Sequence, residues 1–344
     1  PKGVIITHRN IIDYIEWAAL DLNINDKTVM GNQSPFYFDI STQDIYACLK
    51  TAATLVIIPE VFFAFPSKIL EFIRDKKINF LYWVPSAFIN VCSRGVLDEV
   101  DISCVRHIVF GGEVMPVKYL KIWQNAIPGL KATNVYGPTE TTVNITSFHV
   151  NREFNDDEQL PLGSVLDNTE LIILGQNNQV INETNIKGEL CVRGSCLSPG
   201  YWKNQDKTNE AFTQSVYGYI PERMYHTGDI VHYNNNHELV FDGRADLQIK
   251  HLGYRIELAE IERAALSIRD VVSAVADYDV SKKEIVLFYL SEKLEKVDVQ
   301  RELTSILPKY MVPTAYHHLG NLPNNANGKI DRRLLHEKYI DGCR

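Results

Sequence analysis

The chain lacks any apolar run of the length a membrane helix needs; its longest patches, such as Val56-Ile57-Ile58, are the size of core strands. It also lacks a basic excess. Its 35 Lys and Arg against 43 Asp and Glu give a net charge of −8, which argues against a general nucleic-acid binder. Six cysteines, at 48, 92, 104, 191, 196 and 343, form no CxxC pair. Cys191 and Cys196 have no second ligand pair at zinc-site spacing, so free, mostly buried thiols in a reducing cytoplasmic setting are expected. The ten histidines contain no HExxH string, and His317-His318, just ahead of a Leu-Gly turn, reads as surface. No G-x-S-x-G elbow occurs, which removes support for a serine hydrolase. Internal repeats and low-complexity linkers are absent as well.

What is present is an ordinary globular composition, 45% hydrophobic and 23% charged, over 344 residues, enough for two domains or slightly more. Helical and strand periodicities alternate through the first 150 residues, as a layered α/β domain requires. Ser67 ahead of Ile69, Leu70 and Ile73 predicts a capped amphipathic helix, and short apolar strands are predicted over 79–84 and 105–110. From Leu162 to Phe241 short strands punctuated by turn signals predict a β-rich subdomain, with Asn234-Asn235-Asn236 as a hairpin tip. After Asp246 a helix over 256–268, strands over 271–278 and 284–291 and a helix over 299–307 predict a separate α+β unit.

The richest string is Asn134-Val135-Tyr136-Gly137-Pro138-Thr139-Glu140-Thr141-Thr142. A Gly-Pro turn fixes a tight loop; the threonine hydroxyls can donate to phosphate oxygens, Glu140 can hold a hard divalent cation, and Tyr136 offers a face to a base. Taken alone it is equally a polar surface turn. Gly111-Gly112-Glu113, at the end of a buried strand, lets backbone approach a flat ligand, where the bland alternative is a plain strand-to-helix turn. Further on come Tyr225-His226-Thr227-Gly228-Asp229, Gly243-Arg244-Ala245-Asp246, Gly253-Tyr254-Arg255-Ile256-Glu257 and Asn327-Gly328-Lys329-Ile330-Asp331.

In that order these strings resemble the adenylate-forming enzymes, specifically the amino-acid-activating adenylation domains of carrier-protein systems, over nearly the whole chain. The resemblance implies an α/β fold: a large layered α/β domain with a β-rich subdomain (1–245) and a small mobile α+β C-terminal domain (246–344). It implies ATP-dependent formation of an aminoacyl adenylate with release of pyrophosphate, then transfer to the phosphopantetheine thiol of a carrier protein. Glu140 is then the Mg²⁺ ligand and Thr139 an α-phosphate contact. Asn134 reads the adenine edge, Tyr136 stacks on the ring, and Gly112, Glu113 and Gly137 line the nucleotide. Asp229 clamps the ribose hydroxyls, with Arg244 supporting ribose and phosphate. Lys329 stabilises the anionic transition state; Asp246 is the hinge and Gly253 lines the thiol entry.

Phe38-Asp39-Ile40-Ser41 resembles the string that carries the α-amino clamp, so Asp39 is expected to pair with the substrate ammonium; alternatively it caps the helix that follows. The remaining pocket positions implied are Ile40, Gln43, Tyr82, Val109, Gly111, Val135, Val143 and Asn144, neutral and mostly apolar, which suits a small or medium neutral amino acid. Trp83 to Phe88 with Gly112-Glu113-Val114 is also similar to D-alanine–carrier protein ligases. The family's Ser/Thr/Gly-rich phosphate loop ends in Pro-Lys-Gly, and the chain opens at Pro1-Lys2-Gly3. The expectation is therefore an N-terminally truncated piece that by itself does not catalyse. An acyl- or aryl-CoA ligase and a non-catalytic remnant stay open as alternatives.

Overall fold

Phe80-Leu81-Tyr82-Trp83 is apolar at every position because all four residues are buried and the strand they form has helices on both faces. The computed structural model describes residues 3–215, 221–244, 248–251, 254–279, 281–282, 284–325 and 328–343. Its first part runs β1 (Val4–Ile5), α1 (His8–Asp21), β2 (Val29–Asn32), α2 (Ile40–Thr51), β3 (Thr54–Ile57), α3 (Pro66–Asp75), β4 (Phe80–Trp83) and α4 (Pro85–Cys92). There follow β5 (His107–Gly111), α5 (Val117–Ala126), β6 (Lys131–Tyr136), β7 (Thr146–His149) and β8 (Ser164–Val165). Among the described residues these form a seven-stranded sheet in the order β3-β2-β4-β5-β6-β7-β8, parallel from β3 to β6 and antiparallel beyond.

Alternation along the parallel strands separates two cores. Leu81, Trp83, Ile108 and Phe110 enter the cluster built with α3, α4 and α5, whereas Phe80, Tyr82, Val109 and Val135 face α1 and α2. The winding reverses between β2 and β4, and in open α/β sheets such a switch point leaves a crevice at the carboxyl ends of the strands. Trp83 anchors the β4 end by donating from Nε1 to the Gly31 carbonyl at 2.8 Å. Thr7 caps α1, its Oγ1 accepting from the Asn10 N–H at 3.2 Å. Ser67 does not cap α3. That helix starts one residue earlier with Pro66, whose fixed φ and missing N–H suit the first helical position.

The chain continues through β9 (Thr169–Leu174), β10 (Gly188–Gly194), β11 (Gly200–Tyr201), α6 (Gln205–Ala211), β12 (Phe212–Ser215), β13 (Glu222–Tyr233) and β14 (Leu239–Arg244). These give a second sheet ordered β12-β13-β10-β9, with β14 paired to β13, and β11 pairs with β1. The tip between β13 and β14 is closed by Asn234, whose Oδ1 accepts from the N–H groups of Asn236 and Glu238, both at 2.9 Å.

The chain divides into two compact units, Pro1–Thr227 with Val231–Phe241 and Gly228–Ile230 with Asp242–Arg344. The second contains β15 (Gln248–His251), β16 (Tyr254–Glu257), α7 (Leu258–Ser267), β17 (Val271–Asp279), β18 (Glu284–Ser291), α8 (Lys296–Ile306), β19 (Ala315–His318) and α9 (Arg332–Tyr339). The helix expected from Ile256 begins at Leu258; Ile256 instead lies in a two-stranded ribbon, opposite Ile249. Ile256 still joins the stripe of Ile261, Ala264 and Ala265 in one core, so a helical period misreads it. His317, expected at the surface, is half-buried and stacks on Phe288 at 5.2 Å between ring centroids, because β19 lies parallel beside β18. No helix among the described residues is long and apolar enough to cross a membrane.

One buried charge position stands out in the first unit. Asn32 closes β2 and donates from Nδ2 to the Ser34 carbonyl at 3.1 Å and to Asp44 Oδ2 at 2.9 Å. Asp44 is 1% exposed and its Oδ1 has no hydrogen-bond partner among the described residues. Burial pushes its carboxyl up to about 7 from 3.8, against the opposing bond from Asn32. The folded chain thus keeps a proton that the unfolded chain gives up near pH 4, so stability falls as pH rises through that window, by up to about 1.4 kcal/mol per pH unit. Asp44→Asn cannot ionise and keeps the shape. Its melting temperature relative to the parent chain is expected to rise between pH 5 and pH 8. An offset that is constant with pH would show that Asp44 does not titrate there.

Candidate active site

One loop shapes the carboxyl end of β6, beside β5 in the sheet. After β6, Gly137 and Pro138 lead into a single 3₁₀ turn, Thr139–Thr141, and the chain then doubles back. Thr142 and Val143 both lie in the left-handed region, at φ of 62° and 69°. Two consecutive β-branched residues there are strained, and such strain persists only where the surroundings enforce it. Thr142 is held by donating its hydroxyl to the Cys196 carbonyl at 2.8 Å, and Val143 is buried in the core. The returning chain passes directly over Gly137, where a Cβ would meet the Val143 carbonyl oxygen and Asn144 Cα, each at 2.6 Å. Gly111 is constrained in the same way, since its Cβ would lie 2.6 Å from the Val135 carbonyl oxygen on the neighbouring strand.

Thr139 Oγ1 donates to Asp39 Oδ2 at 2.5 Å across 100 residues of sequence. Asp39 occupies the N-cap position of α2, yet its side chain makes no capping bond. The alternative capping role is therefore not what the carboxylate does; it reaches over to the loop after β6. Glu140 is fixed by Tyr201, which donates its hydroxyl to Oε1 at 2.6 Å, and by the Ser198 N–H, which donates to the Glu140 backbone carbonyl at 2.8 Å. Burial, then the adjacent Glu140, pushes the Tyr201 hydroxyl well above the usual phenol range, so it remains a donor. Tyr201 was not singled out from sequence. Its role depends on a contact 61 residues away, and Gly200-Tyr201-Trp202 carries no local mark of it.

Ile40, Gln43, Tyr82, Val109, Gly111, Val135, Val143 and Asn144 were expected to line one pocket. Tyr82, Val109, Val135 and Val143 share a single buried cluster, against which Ile40 packs, and Val109 and Gly111 lie in register with Tyr82 and Val135 on the adjoining strands. The sequence reading missed Tyr14, which α1 inserts among them. Its hydroxyl donates to Gln43 Oε1 at 2.6 Å and accepts from Asn144 Nδ2 at 2.7 Å; Asn144 also bonds to the Tyr82 hydroxyl. Burial pushes both phenols well above their ordinary range, helped for Tyr14 by the nearby Tyr82. The result is a buried, uncharged network of four polar side chains. Gln43 Nε2 is its one buried polar atom lacking a hydrogen-bond partner among the described residues. Tyr14 carried no signal beyond its place on the buried stripe of α1.

The expected nucleotide contacts divide. Gly112 is exposed with φ of 82°, as a close backbone approach allows. Glu113 accepts at Oε2 from the Ser86 N–H at 2.9 Å, placing a carboxylate on the amino end of α4. Asn134 is 8% exposed and donates from Nδ2 to the Pro161 carbonyl at 2.7 Å, which ties β6 to the following segment. Tyr136 lies beside Phe241, with ring centroids 6.4 Å apart. In the second unit Arg244 Nη1 donates to Asp229 Oδ1 at 2.8 Å, joining the expected ribose clamp to its expected helper. Lys329 closes a turn in which its N–H donates to Asn325 Oδ1 at 3.2 Å and Gly328 takes φ of 73°. Asp246 and Gly253 lie outside the described residues.

Comparison with known proteins agrees with this geometry. The AMP-binding enzyme family matches residues 1–202. The D-alanine–D-alanyl carrier protein ligase of Bacillus licheniformis is 32% identical over 98% of the chain and 68% of its own length. The L-proline–[L-prolyl-carrier protein] ligase of Streptomyces coelicolor is 32% identical over 97% of the chain and 63% of its own length. The chain thus spans about two thirds of these relatives. Among solved structures, IdnL7 superposes with a TM-score of 0.86 at 27% identity, covering 99% of this chain and 66% of that one. A four-domain nonribosomal peptide synthetase bound to AMP and glycine superposes with a TM-score of 0.84 at 28% identity, covering 97% and 25%. With a family match over more than half its length and a relative of this identity along nearly all of it, the chain belongs to the AMP-binding enzyme family.

Proposed function

We propose that the protein carrying this chain activates an amino acid with ATP, forming an aminoacyl adenylate and pyrophosphate, and passes the aminoacyl group to the phosphopantetheine thiol of a carrier protein. The observation that carries this reading is Asp39: a half-buried carboxylate that does not cap its own helix but sits at the pocket, bonded to Thr139. Fatty- and aryl-acid activation offers no ammonium for such a carboxylate to hold, which disfavours the CoA-ligase alternative. The carrier-protein ligases among the relatives support the same class of reaction.

Both reactants are anions, so the site must suppress their repulsion and stabilise charge on phosphorus as the carboxylate attacks the α-phosphate. Thr139 supplies a hydroxyl, and Glu140, oriented by Tyr201, is a hard oxygen donor fit to hold Mg²⁺, which neutralises phosphate charge when bound. Asp229, steadied by Arg244, has the paired acceptors a ribose diol needs. Tyr136 and Gly112 take the base. Asn134 acts through its bond to Pro161 as much as on the adenine edge. Lys329 supplies the cation for the first half-reaction, with the hinge at Asp246 and the thiol entry at Gly253 as the resemblance implies. The substrate side chain is small or medium and neutral: Tyr14, Gln43, Tyr82 and Asn144 form an uncharged network that offers a charged group no partner.

Asp39→Ala is expected to lower amino-acid-dependent pyrophosphate exchange by about 10²-fold or more, since on the order of 3 kcal/mol is lost when a partly buried ion loses its partner. Exchange that is fastest with a fatty or aryl acid, and indifferent to this substitution, would overturn the amino acid assignment. Lys329→Ala is expected to slow adenylate formation by roughly 10²–10³-fold while leaving thioester formation from supplied aminoacyl adenylate near the parent rate. Equal loss in both half-reactions, measured by single turnover, would remove Lys329 from its assigned step.

A further inference from the structure

Away from the crevice, in the second sheet of the first unit, three potential metal ligands from two neighbouring strands converge. Glu189 and Cys191 alternate on one face of β10, and His226 comes from the adjacent β13. His226 Nδ1 is 3.0 Å from Glu189 Oε2 and 3.4 Å from Cys191 Sγ, and one ligand atom from each of the three residues lies within 4.8 Å of the others. No sequence pattern announces the group, because strand pairing rather than spacing assembles it.

We propose that Glu189, Cys191 and His226 bind a borderline-soft divalent transition metal ion, zinc in the first instance, with His226 coordinating through Nδ1. Tetrahedral zinc with nitrogen and oxygen at about 2.0 Å and sulfur at about 2.3 Å sets its donor atoms roughly 3.3–3.5 Å apart. The N···O and N···S separations here are within a few tenths of that. Two groups crowd one ring nitrogen: a carboxylate oxygen and a thiol. A protonated Nδ1 satisfies only one acceptor well, whereas an ion at their centre satisfies all three, the thiol proton leaving to solvent as the sulfur–metal bond forms.

Two features outside the triad favour an ion. His226 Nε2 lies 3.0 Å from Thr213 Oγ1, which fixes the ring and leaves Nδ1 to the ion, the arrangement that metal-bound histidines require of their second nitrogen. A cavity of about 550 Å³, lined in part by His226, Thr213 and Met224, opens beside the group. It provides an entry path and room for a water molecule as fourth ligand. Three protein ligands with an open fourth position make an exchangeable site rather than a closed structural one. The ion would clamp β10 to β13.

Calorimetric titration of the whole 344-residue chain with ZnCl₂, and replacement by Co²⁺ followed in the near ultraviolet, test this directly. One equivalent of Zn²⁺ is expected to bind, and the Co²⁺ form is expected to show thiolate-to-metal charge transfer. Cys191→Ala is expected to abolish that band, and Cys191→Ala and Glu189→Gln each to weaken Zn²⁺ by at least about 10²-fold. Thr213→Val, which touches only the second ring nitrogen, is expected to weaken it by about 10–100-fold with the band retained. Absent or substoichiometric binding by the parent chain, or a Co²⁺ spectrum without thiolate character, would overturn the proposal without recourse to any variant. Unchanged affinity in folded Glu189→Gln would overturn it as well.

Discussion

The candidate site depends on one close backbone passage. Because Gly137 has no side chain, the loop after β6 can fold back so that Val143 and Asn144 lie directly over it. That return stroke buries Val143 and Asn144, while Thr139 bonds to Asp39 and Glu140 to Tyr201. Two β-branched residues held at positive φ show how firmly the turn is enforced from outside, by the Cys196 carbonyl and by the core. Residues proposed for phosphate and residues proposed for a substrate side chain thus belong to one short segment.

Electrostatics separate the two ends of this segment. Inside, Tyr14, Gln43, Tyr82 and Asn144 satisfy one another without any formal charge, and burial keeps both phenols protonated. Such a network carries orientation but no attraction for an ion. At its edge sits Asp39, tied to Thr139. Under the proposed function, a zwitterionic substrate with an uncharged side chain would suit that pattern, its ammonium paired with the carboxylate and its side chain among dipoles. Glu140 lies on the same loop but turns to Tyr201, so the two carboxylates are held by different partners.

The second sheet shows the same principle in another form. Glu189 and Cys191 reach His226 because β10 and β13 are neighbours in space, although 35 residues separate Cys191 from His226 in sequence. A histidine with both ring nitrogens engaged, next to a buried thiol and a roomy cavity, is chemically distinct from the three buried thiols Cys48, Cys92 and Cys196, which have no His and carboxylate gathered about them among the described residues.

The sequence by itself determined the order of motifs, the alternation of α and β in the first unit, the buried strand at Phe80–Trp83 and the Gly-Pro turn at Gly137. These are local properties: periodicity, turn chemistry and apolar runs act over a few residues. It also marked Asp39 and Glu140 as acids in unusual company. It could not say that Asp39 would ignore its own helix for Thr139, that Asn134 would spend its amide on Pro161, or that Tyr14 and Tyr201 would complete the site. Ile256 was drawn into a helix because its spacing fits the apolar stripe of α7, while its backbone pairs with Ile249. The Ile249–Ile256 pairing is local, seven residues apart, but every other deciding bond joins residues far apart in the chain. Such bonds exist only once strands have paired and helices have packed, so tertiary structure alone could decide them.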